Sequence, residues 1–309
     1  MTLAPEIAKF LEIRAESGLP EVWQAPVEIL RANTYARLVN AGIPEKIFSV
    51  ANRFIPGPTA DLPIRVYRPS NAKNLPALVF FHGGGWVLGF LDLYDAALHS
   101  LANKTGSVII SVNYQKAPEH PYPTAFDDCF ATLLWVSTNS FELGIDQTKI
   151  GVGGDSAGAN LASAVALKAR DRGVLKLAYQ LLFYPCNERD FETPSYLAYA
   201  DGFGLPRKSM QWFWEQYLQG GDHDSDPYAC PSRAKDFSNL APAIIVTAEY
   251  DPLKDDGVKY ERLLKGAGVP TSYLEYKGMI HGFVNLSAIT PTAQRAIAEC
   301  AKRIQTLLR

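Results

Sequence analysis

From Ala77 to the C-terminus the chain alternates between two kinds of segment, and this alternation limits the possible folds more than any other feature. The strand-like runs are LVFF (78–81), SVIISVNY (107–114), KIGVGG (149–154), YQLLFY (179–184), PAIIVTAEY (242–250) and TSYLEY (271–276). Helix-like segments follow most of them, at about 92–105, 124–139, 157–172, 255–267 and 291–308. Strand and helix in alternation imply right-handed crossovers and a mostly parallel sheet. The runs are nearly all apolar, as strands are when helices cover both faces of the sheet. Two earlier runs, KIFSVANRFI (46–55) and LPIRVYRP (62–69), are parted by Pro-Gly-Pro and read as an antiparallel pair. The expectation is an α/β fold with eight strands, the first two antiparallel.

Two amphipathic helices, at about 6–17 and 27–41, precede the sheet, with Gly18 and Gly42 placed to stop them. The strand–helix rhythm then breaks once, between Pro185 and about Gly221. This insertion carries no strand and ends in an aromatic helix containing Trp212, Phe213, Trp214 and Tyr217. An insertion at the carboxyl end of a parallel strand lies over the edge where such folds place their sites. The N-terminal helix pair is too short to bury enough surface to fold alone, so it must dock. The aromatic insertion is the apolar partner the sequence offers. The expected division is a helical cap made of 1–45 and 187–220 over a catalytic domain of 46–186 and 221–309. The aromatic stripe itself reads as packing rather than substrate contact.

The 309 residues carry a formal net charge of -2, so no global field favours nucleic acid or anionic lipid. The longest apolar runs are strand-length, and no membrane span is expected. The N-terminus MTLAPEIAKFLEIRAES lacks the basic start and apolar centre of a signal peptide. Cys129, Cys186, Cys230 and Cys300 form no CxxC pair and read as reduced, packed thiols. The five histidines give no HExxH pattern. These features point to a cytoplasmic protein with a small-molecule substrate and neither metal nor cofactor.

KIGVGGDSAGANLASAVAL reads as strand, tight turn, helix, with Gly154-Asp155-Ser156-Ala157-Gly158 at its centre. This is the G-x-S-x-G pattern in its required context, with a strained turn that exposes the serine hydroxyl. A nucleophilic serine needs a base and a group to orient that base. In this arrangement the chain order is Ser, acid, His. Only His223 and His281 follow Ser156. His223 lies in a polar loop with no strand before it, whereas His281 follows TSYLEY and a short loop, so His281 is the expected base. Asp251 leaves PAIIVTAEY directly and is the expected acid. Glu249 lies within that strand, and Asp255 and Asp256 read as the start of the next helix, where carboxylates suit the positive end.

At the end of another strand stands ALVFFHGGGWVLGF (77–90), with three consecutive glycines. Acyl transfer builds negative charge on the carbonyl oxygen, and backbone N–H groups aimed at it stabilise it. A loop that supplies such donors must approach the substrate closely, which side chains would obstruct. Gly83, Gly84 and Gly85, with Ala157 after the nucleophile, are the candidate oxyanion donors. His82 precedes the serine and reads as a residue that holds this loop. No Lys-Ser/Thr follows, as a P-loop needs, and no G-x-G-x-x-G opens a helix.

Together HGGGW, APEHPYP, GDSAGAN, AEYDPLKDDG and HGF resemble the hormone-sensitive-lipase-like carboxylesterases of the α/β-hydrolase fold. The resemblance implies hydrolysis of short to medium acyl esters, with Ser156, Asp251 and His281 as a catalytic triad and an acyl-enzyme intermediate. It implies the cap described above, favours Gly84 and Gly85 over Gly83 as donors, and allows a homodimer, since many relatives dimerise. The chain departs from the common D-Y-R-L-A-P-E-H run, having Asn113-Tyr114-Gln115-Lys116-Ala117-Pro118-Glu119-His120, so a supporting arginine ion pair is missing. Glu119 and His120 read as structural. Two other activities belong to similar proteins. Arylacetamide-type deacetylases share these motifs and cleave amides. Plant gibberellin receptors bind a ligand without hydrolysis and lack the histidine that this chain has at 281.

Overall fold

The computed structural model describes residues 2–309. Its strands are β1 (Ser49–Pro56), β2 (Asp61–Arg68), β3 (Leu75–Phe81), β4 (Val108–Val112), β5 (Ile145–Asp155), β6 (Gln180–Phe183), β7 (Ala243–Tyr250) and β8 (Thr271–Ile280). They form one eight-stranded sheet in the order β1-β2-β4-β3-β5-β6-β7-β8. β2 is antiparallel to both of its neighbours and every other adjacent pair is parallel, so β2 alone runs against the rest. The chain steps from β3 outward to β4 and then returns past β3 to β5. The reversal leaves a crevice between the carboxyl ends of β3 and β5, where α/β sheets bind ligands.

Alternation along the strands explains the apolar runs. Val79, Phe81, Val152, Leu182 and Ile245 enter one buried cluster, and Leu78, Phe80, Leu181, Ile244 and Val246 enter another on the opposite face. Both faces are covered by helices, so neither set can be polar. The helix Ala157–Arg172 lies close against the sheet. Its first turns are Ala157, Gly158 and Ala159, all buried. A Cβ on Gly158 would run into the Phe81 carbonyl at the end of β3, so only glycine allows this approach.

The N-terminal helix runs from Pro5 to Glu16. The second expected helix is interrupted: Val27–Thr34 is α-helical, Tyr35–Arg37 is a 3₁₀ turn, and Leu38–Ala41 is a last short turn ended by Gly42. Thr34 Oγ1 donates to the Leu30 carbonyl (2.9 Å), a back-bond that competes with the helical ladder and bends helices. The seat of the first helix also differs from expectation. Ala4 N–H donates to Gly278 O (3.1 Å), and Ile7 is buried with Met279 and Ile280 at the end of β8. The insertion meets this segment where Gly204 lies beside Leu11 and Arg14 and where Lys208 Nζ sits 4.7 Å from the Trp23 ring. The aromatic helix, Arg207–Leu218, instead packs on the glycine segment, with Tyr217 stacked on Trp86 (4.3 Å) and Trp214 beside it (4.5 Å). Leu30 of the second helix joins the same cluster.

Candidate active site

β5 ends at Asp155 and the next helix starts at Ala157, leaving Ser156 to make the turn alone. Ser156 has φ 55° and ψ -123°, a conformation costly for a residue with a Cβ. Its own backbone holds it there. Ser156 N–H donates to Phe183 O at the end of β6 (2.9 Å), and Ser156 O accepts from Ala159 and Asn160 N–H. The side chain therefore stands at the tip of the turn. Its Oγ lies 2.9 Å from His281 Nε2, and His281 Nδ1 lies 2.8 Å from Asp251 Oδ2.

Each partner leaves a strand end. Asp251 follows β7 and is fully buried, and its second oxygen accepts from Leu253 N–H (2.8 Å). His281 follows β8 at once, with the Tyr184 ring packed against the imidazole at 4.7 Å. The competing residues lie elsewhere. His223 packs on Tyr122 (4.9 Å). Glu249 accepts the Gly278 N–H and Asp255 accepts the Ser195 N–H, both at 2.8 Å. Asp256 is buried, and the loss of water pushes its carboxyl well above the usual range.

The glycine loop meets this group from β3. One expectation needs correction here. Gly83 N–H points inward, to Asp155 Oδ1 (2.7 Å) and Tyr94 Oη (2.9 Å), so it is engaged and not free to serve an oxyanion. The N–H groups of Gly84, Gly85 and Ala157 donate to no protein acceptor among the described residues. Gly85 has φ 60°, and a Cβ there would enter the Phe213 ring of the insertion, so both backbone and space demand glycine.

His82 is fully buried, stacked on Tyr114 at 4.4 Å, with Nδ1 2.8 Å from Gly83 O. A carbonyl only accepts, so Nδ1 carries the proton. Burial, followed by the nearby Lys116 charge, pulls the imidazole pKa down to about 3, and the ring stays neutral. Asp155 was not singled out from the sequence, although it stands inside the quoted GDSAG. Its signal was an acidic residue closing an apolar strand. Burial pushes its carboxyl up to about 6 against the bond from Gly83 N–H, and Tyr94 Oη and Asn285 Nδ2 reach its other oxygen at 3.3 Å.

Arg31 was also missed. From the second N-terminal helix it donates to Val87 O and Ala117 O (3.0 Å each) and to both oxygens of Glu119 (2.8 Å each). A guanidinium thus supports this loop from another element, while Gln115, at the position without the arginine, bonds Asp128 instead. Among the described residues no group of His, Cys, Asp or Glu is arranged to hold a metal ion, and the four cysteines are buried and unpaired.

Residues 78–285 match the family model described as the alpha/beta hydrolase fold, a span that includes the glycine loop, Ser156, Asp251 and His281. The chain is 43% identical over 240 residues to carboxylesterase NlhH of Mycobacterium tuberculosis, covering 76% of this chain and 75% of that protein. It belongs to the hormone-sensitive-lipase-like carboxylesterases. The esterase is also 32% identical to an ethyl acetate hydrolase of Pseudomonas putida, over 99% of both chains. Among solved structures it superposes on the hyperthermophilic esterase of Pyrobaculum calidifontis with a TM-score of 0.94 and 39% identity, covering 100% of this chain and 99% of that one. Near-complete coverage in the last two means that the N-terminal helices align along with the sheet. The esterase is a carboxylic ester hydrolase of the α/β-hydrolase fold, and no helix among its described residues is long and apolar enough to cross a membrane.

Proposed function

We propose that Ser156, His281 and Asp251 carry out ester hydrolysis as a triad, through an acyl-enzyme. The observation that carries this reading is the continuous relay at 2.9 and 2.8 Å from Ser156 Oγ through the imidazole to a buried carboxylate. In this reading His281 Nε2 takes the hydroxyl proton as Oγ attacks the ester carbonyl. The Asp251 carboxylate accepts from Nδ1–H, which fixes the tautomer and stabilises the imidazolium. Negative charge develops on the carbonyl oxygen, and the free N–H groups of Gly84, Gly85 and Ala157 are the donors for it, each worth roughly 3 kcal/mol. Collapse of the tetrahedral intermediate passes the proton from His281 to the leaving alcohol. Water then repeats the sequence on the acyl-serine and releases the acid.

Residues 1–45 and 187–220 act as the cap in this proposal, over a catalytic domain of 46–186 and 221–309. Support comes from Phe213 of the insertion against Gly85, from Trp23 against Lys208, and from Arg31 on the loop after the glycines. A walled cleft of this kind suits short to medium acyl chains. Each acyl CH₂ that finds a wall gains roughly 0.8 kcal/mol until the chain meets the far side, so rates should rise toward about C8 and then fall.

The test is covalent. An aryl phosphonate should add one phosphonyl group to the peptide bearing Ser156, read by mass spectrometry. Ser156→Ala should take no label and lose on the order of 10⁴-fold in turnover or more. Label on another residue, or near-normal turnover by the variant, removes Ser156 as the nucleophile.

A further inference from the structure

Behind the glycine loop lies a cavity of about 540 Å³ that the proposed reaction does not use. Its walls are Arg31 and Tyr35 from the N-terminal helices, Gly89 and Phe90 from the loop after the glycines, and the segment that follows β4, including Asn113 and Lys116. Neither the triad residues nor Gly84, Gly85 or Ala157 line it. Gly89 lies directly against Gly83 O and His82 Nδ1, where a Cβ would run into both, so the cavity and the glycine loop share a wall. A concave space of this size is large enough to hold a small organic molecule.

The charges in this lining do not balance. Arg31 gives N–H groups to both oxygens of Glu119 (2.8 Å each), so those two charges answer each other. Lys116 has no such partner. Its Nζ donates to Asn113 Oδ1 (2.6 Å) and, at 3.4 Å, to Tyr114 O, both neutral, and it forms no ion pair among the described residues. An ammonium carries three donors and no acceptor, so one N–H and a whole positive charge are left over. Burial, and next the charge of Arg31, pull the ammonium pKa down to about 8, as befits a cation short of both water and an anion.

The apolar part of the lining describes the rest of the ligand. Tyr35 and Phe90 stack with ring centroids 4.3 Å apart and 23° between their planes, and Pro63 lies in the same lining. Tyr35 is 57% exposed, so this aromatic pair stands open to water. Covering such rings is favourable, and flat aromatic groups pack on them well. An unbalanced ammonium and an open aromatic pair in one cavity suit a ligand that is anionic at one end and flat and apolar at the other.

We propose that this cavity is a second binding site, separate from the catalytic cleft, for a small monocarboxylate with a flat apolar body. The carboxylate accepts from Lys116 Nζ, a charge-assisted bond, and the body lies against Tyr35 and Phe90. Aromatic acids such as benzoate are the simplest members of the class. One unbalanced positive charge matches a monoanion, whereas a dianion would bring a surplus charge beside Glu119. Carboxylates are also what a carboxylic ester hydrolase releases, so the class includes acids the enzyme itself can produce.

The test is equilibrium binding of benzoate near neutral pH and at low salt, followed by calorimetry. The reactive serine is first capped with an aryl phosphonate, so that the catalytic cleft is filled. Benzoate should bind about tenfold more tightly than benzamide, which has the ring without the charge, and about tenfold more tightly than acetate, which has the charge without the ring. Added salt should weaken benzoate and leave benzamide unchanged. In Lys116→Gln, which keeps a donor but not the charge, the benzoate-to-benzamide ratio should fall to near one. In Tyr35→Ala, a change at an exposed side chain, the benzoate-to-acetate ratio should fall several-fold. Each ratio is taken within one variant, and circular dichroism checks the fold. Failure of benzoate to bind the capped enzyme, or a benzoate-to-benzamide ratio that survives Lys116→Gln, overturns the site. Binding to the free enzyme that vanishes on capping assigns benzoate to the catalytic cleft and overturns it equally. None of these readouts is a turnover, so the outcome does not depend on which residues carry the reaction.

Discussion

Behind the glycine loop, His82 and Asp155 titrate in opposite senses. Folding holds the His82 imidazole pKa near 3, against 6.5 for the unperturbed group. Between those values the unfolded chain binds the extra proton, so this contribution to stability rises with pH. It is complete above about 6.5 and is lost as the pH falls toward 3. The Asp155 carboxyl is raised from 3.8 to about 6, so in that window the folded state keeps the proton and stability falls as pH rises. The two slopes cancel between about 3.8 and 6, and the histidine acts alone just above 6 and below about 3.8, so acid should destabilise the esterase in those two ranges. Urea unfolding at a series of pH values measures this. Between about pH 4 and 6 the stability of His82→Gln, which retains a hydrogen-bonding side chain but cannot titrate there, should fall with rising pH relative to wild type, because Asp155 is left unopposed. An unchanged slope would assign the acid sensitivity to other groups. The sequence pointed to His82 as a loop-holding residue. Its tautomer and neutrality depend on the carbonyl and the ring packed around it.

At the scale of elements, the two N-terminal helices have different seats. The first lies on the end of β8 through Ala4 and Ile7, and the second on the glycine segment through Arg31 and Leu30. Their apolar faces were legible in the sequence, and so was the need to dock. Their partners were not, because an amphipathic face specifies only that it must be covered. The aromatic insertion looked like the obvious cover, but Trp86 had already claimed Trp214 and Tyr217. Deleting residues 1–45 should lower activity and broaden the acyl-length preference. Because that deletion exposes core, Arg31→Ala provides a second measure that keeps the chain intact. It removes four hydrogen bonds, one to Val87 in the loop that follows the glycines and three to Ala117 and Glu119 in the loop packed beside it. A shift of about 1 Å in a positioned group can cost on the order of 10²-fold, so kcat for short esters should drop by ten- to a hundredfold. Wild-type kcat and an unaltered length profile in both variants would show that these helices do not shape the site.

For the molecule as a whole, the site is a product of topology. Ser156, Asp251 and His281 are separated by 125 residues from first to last, yet they stand at the ends of β5, β7 and β8 on one edge of one sheet. The glycine loop joins them from β3, across the point where the strand order reverses. In the proposed reaction the nucleophile, the base and the oxyanion donors all come from the chain itself. Activity should therefore persist at its full level after dialysis against a strong chelator, measured with a short aryl ester. Loss of activity on chelation that added divalent metal restores would contradict that mechanism.

Local chemistry determined much of this protein. Alternating apolar runs required a covered parallel sheet, G-x-S-x-G between a strand and a helix required a strained serine turn, and three glycines at a strand end required close approach. Each of these is a short-range constraint, visible within a few residues. Tertiary structure decided the rest. Gly83 turned out to be engaged because Asp155, 72 positions later, closes the neighbouring strand and takes its N–H. The guanidinium that supports the APEH loop comes from position 31 and not 115, because a helix outside the sheet was folded back onto it. Which donor meets which acceptor depends on distances set by the whole fold, and sequence spacing does not contain them.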